Sequence, residues 1–374
     1  MRSLNDMIAL DDFSDAADRV LPRLVRDYIN GGVEDEHALK RNLSAFAEAL
    51  LIPRYLVHAS KPCTQVQLWN QTYAWPFGIA PMGLQGFARP GMELMLARAA
   101  HDAKIPFVLS GAGTSTVEQV AEIAGPCTWF QLYVARDRNV SADLVRRASD
   151  AGIQVLVLTV DAPVHSKRER DWRNGFGPAP RLGLHIILDM LLHVRWLVRQ
   201  LHHGLPTFAN WAPYAPSQNR AVVNRFFTQQ IPFTQTWDDV RWLRDLWPGK
   251  LVIKGILHPD DAIHAFECQA DGIIVSNHGG RVLDAAPSAL HQLSLIRQEV
   301  GPEPVLMLDG GIRRGSDVLK ACQAGANFVW MGRPALHAAA AFGLPGAYRV
   351  IAILEEEIRL CMAQCGWQNM LGTP

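Results

Sequence analysis

Eight short apolar runs, with helical patterns between most of them, constrain this chain more than any other feature. The runs are Phe77–Ala80, Phe107–Leu109, Trp129–Val134, Val155–Val160, Leu251–Ile253, Gly272–Val275, Val305–Leu308 and Phe328–Met331. Each is rich in β-branched or aromatic residues and apolar on both faces, as a buried parallel strand must be. The helical patterns are Glu93–Ala103, Ser115–Ile123, Ala142–Ala151, Asp239–Leu246, Pro259–Gln269, Ala289–Val300, Gly315–Ala324 and Pro334–Phe342. Eight strands alternating with eight helices imply an α/β chain closed into a TIM (β/α)8 barrel. A doubly wound open sheet would also alternate, but its first turn should carry a glycine-rich dinucleotide fingerprint. The turn after Phe77–Ala80 reads PMGLQGFARPG instead.

Two regions fall outside this rhythm. Residues before Trp75 form an N-terminal helical extension, including Asp15–Asn30 and the stretch GGVEDEHALKRNLSAF, expected to cap the closed bottom of the barrel or to reach round to its mouth. A long insertion follows the fourth strand, between Asp161 and Trp237, and its 177–236 part is expected to be a lid or binding segment, since idle loops of that length are uncommon. The tail from Ala347 to Cys365 reads as a closing helix. No repeat, low-complexity run or linker divides residues 1–374, which are expected to form one domain.

Composition narrows the partners. Lys+Arg and Asp+Glu both number 36, leaving no positive excess for a nucleic-acid backbone. Met1–Leu10 carries Asp6 where a secretory signal needs a basic start and an apolar run, so a cytoplasmic location is expected. The six cysteines are scattered, without the paired spacing of a zinc site, and read as reduced thiols; no metal is expected. No apolar stretch is long enough to span a bilayer. Leu182–Leu205, however, mixes long apolar residues with Arg195, Arg199 and several histidines. That pattern suits equally a helix lying in a membrane interface or a helix pair packed on the protein's own surface.

The polar residues that follow the strands converge on the barrel face where such enzymes work. They are Pro81–Gly83, Ser110, Gln131 and Tyr133, Thr159 and Asp161, Lys254, Ser276 with His278 and Arg281, Asp309 to Arg313, and Gly332 with Arg333. A purely structural barrel has little use for so many of them. DGGIRRG after the seventh strand and GRP after the eighth combine glycine amides with Arg313 and Arg333, at the usual phosphate position of these barrels. A phosphate-bearing cofactor is expected.

The runs SNHGGRVLD (Ser276–Asp284), LDGGIRRGSDVLKA (Leu308–Ala321) and MGRP (Met331–Pro334) strongly resemble the FMN-dependent 2-hydroxy acid dehydrogenases and oxidases. FQLYV (Phe130–Val134), LTVDAP (Leu158–Pro163), RERD (Arg168–Asp171), VIKGIL (Val252–Leu257) and DYINGG (Asp27–Gly32) extend the match, in order, over nearly the whole chain. The resemblance implies FMN as cofactor, His278 as catalytic base and Asp161 as the carboxylate that orients and stabilises its imidazolium. It gives the substrate carboxylate to Arg281 and Arg168, with Tyr28 and Tyr133 at the carboxylate and hydroxyl. Lys254 matches the lysine set against the pyrimidine end of the flavin, where a fixed positive charge stabilises added electrons. Ser110, Gln131, Thr159 and Ser276 would hydrogen-bond the ring and ribityl chain, and backbone at Pro81, Met82 and Gly83 would lie against the ring. Asp309, Gly310, Gly311, Arg313, Gly332 and Arg333 would hold the ribityl phosphate.

Departures from the family pattern bear on substrate. Pro-Met-Gly replaces the frequent Pro-Thr-Ala at 81–83, and Ala112 stands where small-substrate oxidases carry a bulky aromatic, so the expected substrate is a bulky or aromatic, mandelate-like L-2-hydroxy acid. Gly83 and the stretches LLHVRWLVRQLHHGLPTFAN and WLRDLWPGKL look most like the membrane-associated mandelate dehydrogenase branch. That branch implies a membrane surface as partner, quinone as acceptor and a peripheral position on the inner face of the cell membrane; the family also implies a homo-oligomer, expected here as a tetramer. The competing readings are an oxidase that passes electrons to oxygen, a lactate-type dehydrogenase, a non-catalytic FMN binder, and an FMN isomerase acting on a phosphorylated substrate. The His278–Asp161–Arg281 set argues against a mere binder, and the two arginines favour a carboxylate substrate.

Overall fold

The computed structural model describes residues 3–57, 62–176, 183–231 and 234–370. Ten strands are assigned among them. A short antiparallel hairpin, β1 (Val66–Leu68) and β2 (Gln71–Tyr73), precedes the barrel strands β3 (Phe77–Ile79), β4 (Phe107–Ser110), β5 (Thr128–Leu132), β6 (Val155–Thr159), β7 (Lys250–Ile256), β8 (Gly272–Val275), β9 (Val305–Asp309) and β10 (Phe328–Met331). All eight barrel strands pair in parallel, and β10 closes on β3 to complete a TIM barrel. All eight runs expected as strands form them, with bounds shifted by at most three residues at an end.

Alternation along each strand makes two apolar layers. Val108, Trp129, Val157, Val252, Ile274, Met307, Phe328 and Trp330 fill the barrel interior, while Leu109, Phe130, Leu156, Leu158, Ile253, Leu306 and Leu308 face the surrounding helices. Large aromatics do most of the filling: the Trp129 and Trp330 rings meet edge-on at 4.8 Å. The hairpin closes the bottom, where Tyr73 Oη accepts from Trp129 Nε1 at 3.0 Å and Leu68 and Tyr73 join the inner cluster. This hairpin was not anticipated from sequence; its strands are three residues each, too short for a period of two to register.

The extension serves both ends of the barrel. After the hairpin's counterpart role at the bottom, helix Arg23–Asn30 and the Gly31–Glu36 turn lie at the mouth, where Val33 N donates to Gly280 O at 3.0 Å. The Asp15–Asn30 pattern is two helices, Asp12–Asp18 and Arg23–Asn30, divided at Leu21-Pro22 because proline disfavours helix in the residue before it. The closing helix begins earlier than expected, at Leu344, and runs to Cys365.

The insertion contributes helices Leu184–Leu192 and Val194–His203, a 3-10 turn at Ala209–Tyr214 and helix Arg220–Gln230. Residues 177–182, 232 and 233 of the expected 177–236 segment lie outside the described residues, and Leu182 of the Leu182–Leu205 stretch is among them. No described helix is long and apolar enough to cross a membrane, and all six cysteines are free thiols.

Candidate active site

The period of two that fills the barrel also builds the site. Continuing the inward rows one step beyond Val108, Trp129, Val157, Val252, Ile274 and Met307 arrives at Ser110, Gln131, Thr159, Lys254, Ser276 and Asp309, all buried at the carboxyl ends of the strands. Ser110 Oγ and the Gly111 amide both donate to Gln131 Oε1, at 2.9 and 3.2 Å. Lys254 Nζ donates to Ser276 Oγ at 2.9 Å and lies 3.1 Å from Asp309 Oδ2. Burial acts to lower the Lys254 pKa, but Asp309 and then Asp161 outweigh it, so the ammonium is held charged. Asp309, grouped with the phosphate residues from sequence, sits with Lys254 instead. A carboxylate so placed suits a hydroxyl better than a phosphate, which would repel it.

Around this ring Gln131 Nε2, Thr159 Oγ1, Asp161 Oδ2 and Asp309 Oδ1 are buried without a hydrogen-bond partner among the described residues. Each such atom costs about 1–3 kcal/mol, so their clustering at one mouth marks a surface made for a polar ligand. The donor and acceptor mixture fits the edge and ribityl chain of FMN. At the other end, Gly311 (φ 100°) lets the chain pass the extension closely: a Cβ there would lie 2.5 Å from Asn42 O and 2.9 Å from the Phe46 ring. Burial, followed by the charges of Arg281 and Arg313, pushes Arg333 down to about 9, and burial lowers Arg313 as well. Cations crowded in this way are relieved by an anion, which fits the phosphate.

The Arg333 side chain is not a free fork, however. Its Nε, Nη1 and Nη2 donate to Ile29 O, Gly279 O and Gly31 O at 3.0–3.1 Å, tying the DYINGG segment to the SNHGG turn. It also opens helix Arg333–Phe342, whose N-terminal amides attract anions. Met82 faces this corner, its Sδ 3.7 Å from where a Gly332 Cβ would stand.

His278 lies in a left-handed turn with Gly279 and Gly280 (φ 56°, 64° and 76°), uncommon for a residue with a side chain and a mark of functional constraint. Its amide donates to Ser276 Oγ at 3.0 Å, and its Nδ1 lies 2.8 Å from Asp161 Oδ1. Burial pushes the Asp161 carboxyl upward, but the charge of His278 and then that of Lys254 outweigh it and hold it below the usual carboxylate range. Room for this carboxylate is made by a bulge in β7: Gly255 (φ 106°) falls where the register shifts, and a Cβ there would strike Asp161 at 2.5 Å.

Tyr28, Tyr133, Arg168 and Arg281 gather beside this pair. The Arg281 and Arg168 guanidinium carbons lie 5.2 and 5.6 Å from the Tyr28 ring centre. Arg281 Nη1 donates to Tyr28 O and Gly31 O at 2.7 and 3.0 Å. Burial, and then the nearby Arg168 charge, lowers its pKa. Burial first, then Asp161 and Tyr28, raises the Tyr133 hydroxyl, keeping it a neutral donor. Tyr28 Oη reaches Gly83 O at 3.5 Å, and a Cβ on Gly83 would stand 3.2 Å from Ala112 Cβ. The side chains described above thus gather at the barrel mouth and its rim.

Several partners were missed. Asp171, buried at 3%, pairs with Arg168 at 3.1 Å; the RERD run displayed it beside Arg168, but nothing in the spacing distinguished it from a solvated acid. Asn42 and Asn277 exchange side-chain hydrogen bonds at 2.7 and 2.8 Å and bind the extension to the His278 turn. His337 lies in the positive corner, with Nε2 2.7 Å from Asn30 Oδ1. Burial, then Arg313 and Arg333, pushes its pKa down to about 3. An imidazole neutral in the fold and ordinary when unfolded contributes no penalty above its unfolded pKa, and the fold loses stability as pH falls toward the folded value. From pH 7 to pH 5 this one residue should cost about 2 kcal/mol. Urea unfolding midpoints should show His337→Gln flattening that decline; an unchanged slope would contradict it.

Comparison with known proteins agrees with this geometry. The family profile described as FMN-dependent dehydrogenase matches residues 17–372. The (S)-mandelate dehydrogenase of Pseudomonas putida is 38% identical over 361 residues, covering 96% of this chain and 91% of its own. An L-lactate oxidase of Nostoc sp. is 39% identical over 375 residues, covering 99% and 97%. The crystal structure of the monotopic membrane protein (S)-mandelate dehydrogenase superposes with a TM-score of 0.93 at 36% identity, covering 98% of this chain and 97% of that one. On the profile, the relatives and the barrel together, the chain belongs to the FMN-dependent dehydrogenases and is an FMN flavoenzyme of the 2-hydroxy acid dehydrogenase and oxidase family.

Proposed function

We propose that this enzyme oxidizes a bulky or aromatic L-2-hydroxy acid, mandelate-like, to the 2-oxo acid, and does so bound to a membrane surface with quinone as electron acceptor. The observation that carries the reading is the His278 Nδ1–Asp161 contact of 2.8 Å beside two arginines and two tyrosines. With Nδ1 engaged, Nε2 is the nitrogen available to substrate. Arg281 and Arg168 hold the substrate carboxylate, and Tyr133 and Tyr28 donate to its polar groups. His278 takes one proton, from the 2-hydroxyl or from the α-carbon, and Asp161 stabilises the resulting imidazolium. FMN, when bound, accepts the two electrons of the oxidation. Gln131, Thr159, Ser110 and Ser276 would hold its ring and upper ribityl chain, Asp309 a ribityl hydroxyl, and Gly310, Gly311, Arg313, Gly332 and Arg333 its phosphate. Lys254 sets a permanent charge where negative charge arrives.

The substrate class rests on the wall at Gly83 and Ala112, where two residues with little or no side chain meet. The membrane reading rests on helices Leu184–Leu192 and Val194–His203, which leave Leu184, Leu188, Leu192, Val198 and Leu201 more than half exposed beside Arg199 and His202, as is Leu205 just past the second helix. Such an apolar surface with basic flanks suits the headgroup boundary of a bilayer. The 177–236 insertion is then a membrane-binding segment within one barrel domain. We place the enzyme on the cytoplasmic side, as a tetramer.

Steady-state rates with a dye acceptor across mandelate, 3-phenyllactate, lactate and glycolate test the pocket. The kcat/KM for mandelate should exceed that for glycolate by about 10–100-fold, the worth of filling an apolar pocket; preference for glycolate would overturn the substrate reading. Sedimentation with anionic vesicles tests the surface, and protein remaining wholly in the supernatant would overturn that part. The second reading, an oxidase, is favoured by the likeness to the L-lactate oxidase; stoichiometric hydrogen peroxide would select it.

A further inference from the structure

The inner side of the insertion is fastened to the loops that carry Gly83 and Ala112. On helix Val194–His203 the two buried residues are Trp196 and Gln200, 3% and 2% exposed and one turn apart, so they share one face while Val194, Val198 and Leu201 of the same helix stay exposed. Trp196 Nε1 donates to Phe87 O at 2.8 Å. Gln200 Nε2 donates to Gly86 O and Phe87 O, both at 3.0 Å. These carbonyls belong to the single helical turn Gln85–Ala88, which begins just past Gly83 and is too short to satisfy its own carbonyls. The Trp196 and Phe87 rings meet edge-on at 5.9 Å.

A second attachment holds the facing loop. Trp211 Nε1 donates to Gly111 O at 2.8 Å and Ala209 N to Gly113 O at 3.1 Å, bracketing Ala112. The two loops are themselves joined, since Leu84 N donates to Ala112 O at 3.0 Å and Gly86 N to Thr114 Oγ1 at 3.1 Å. The gap between positions 83 and 112 thus hangs from three side chains of the insertion.

We propose that Trp196, Gln200 and Trp211 are positioning residues for specificity: the insertion, besides meeting the lipid, sets the width of the substrate pocket at Gly83 and Ala112. The inference rests on the reading of those two residues as the pocket wall. Its consequence is that one helix links the apolar outer face to the selectivity of the site.

Trp196→Phe, Gln200→Met and Trp211→Phe remove the donors and keep most of the packing. Two readouts decide, both on the flavin-loaded protein: the ratio of kcat/KM for mandelate to that for glycolate, and hydrogen exchange in the peptide covering Pro81–Arg89. Each variant at Trp196 or Gln200 should lower the ratio about 5- to 10-fold, through KM for mandelate with kcat within about twofold, and should speed exchange about 10-fold, the equivalent of one lost hydrogen bond. Trp211→Phe should lower the ratio likewise. Wild-type selectivity in the variants overturns the inference even if exchange quickens, because a merely structural role would move exchange and leave discrimination alone. Failure of the functional reading looks different: wild-type protein would then bleach with no acid of the panel.

Discussion

His278→Asn is expected to lower kcat by about 10³- to 10⁴-fold while leaving the protein yellow with bound FMN, the upper range for loss of a positioned acid–base group. The expectation follows from geometry. Nδ1 is committed to Asp161 at 2.8 Å, the backbone is fixed in a left-handed turn by Ser276, and neither contact reaches toward the phosphate corner. Asparagine tolerates that backbone and can keep the contact with Asp161, but it has no group that takes up a proton near neutral pH. Stopped-flow reduction and the visible spectrum read the two effects separately. A variant retaining more than a tenth of wild-type kcat would remove His278 from the role of base.

Arg281→Lys should cost nearly as much, by another route. The guanidinium spans Tyr28 O and Gly31 O with Nη1 and lies over the Tyr28 ring, so its plane is fixed before substrate arrives. Lysine keeps the charge and loses the planar fork, and truncating one partner of a buried charge pair costs about 2–5 kcal/mol. The expected result is a fall in kcat/KM of about 10²- to 10³-fold, carried largely by KM. Inhibition by the 2-oxo acid product should weaken in parallel. A change below threefold in kcat/KM would mean that the carboxylate binds elsewhere.

How much of this was legible in the sequence depended on the range over which each feature is encoded. The barrel strands were readable because each is a continuous apolar run, and the site followed from the same rows: a polar Thr159 or Lys254 two residues after Val157 or Val252 must point into the mouth. The β1–β2 hairpin was not readable, because three-residue strands carry no period and what makes them a plug is Tyr73 meeting Trp129. Residue types were also readable before their partners. Arg333 follows β10 at the mouth, yet its bonds to Ile29 O and Gly31 O depend on how the extension wraps the rim, contacts 304 and 302 residues apart in the chain that no local pattern specifies. Asp309 showed the same limit: sequence put it at the end of β9, but only closure of the barrel brings Lys254, two strands away on β7, to 3.1 Å from it.

The insertion divides in the same way. Its long apolar residues and basic flanks were visible as a pattern that suited an interfacial helix or a surface helix pair equally, and two helices form there, broken at His193. The buried face could not be read, because Trp196 and Gln200 are fixed by carbonyls of a distant turn.

Anaerobic mixing of the wild-type protein with (S)-mandelate is the most direct measurement of the central claim, that the His278–Asp161 pair and the two arginines deliver a 2-hydroxy acid to bound FMN. The flavin absorbance should bleach completely with one 2-oxo acid formed per flavin, and more slowly when the α-hydrogen is deuterium. A protein that purifies colourless and takes up no FMN, or a yellow protein that no 2-hydroxy acid bleaches, would contradict the account.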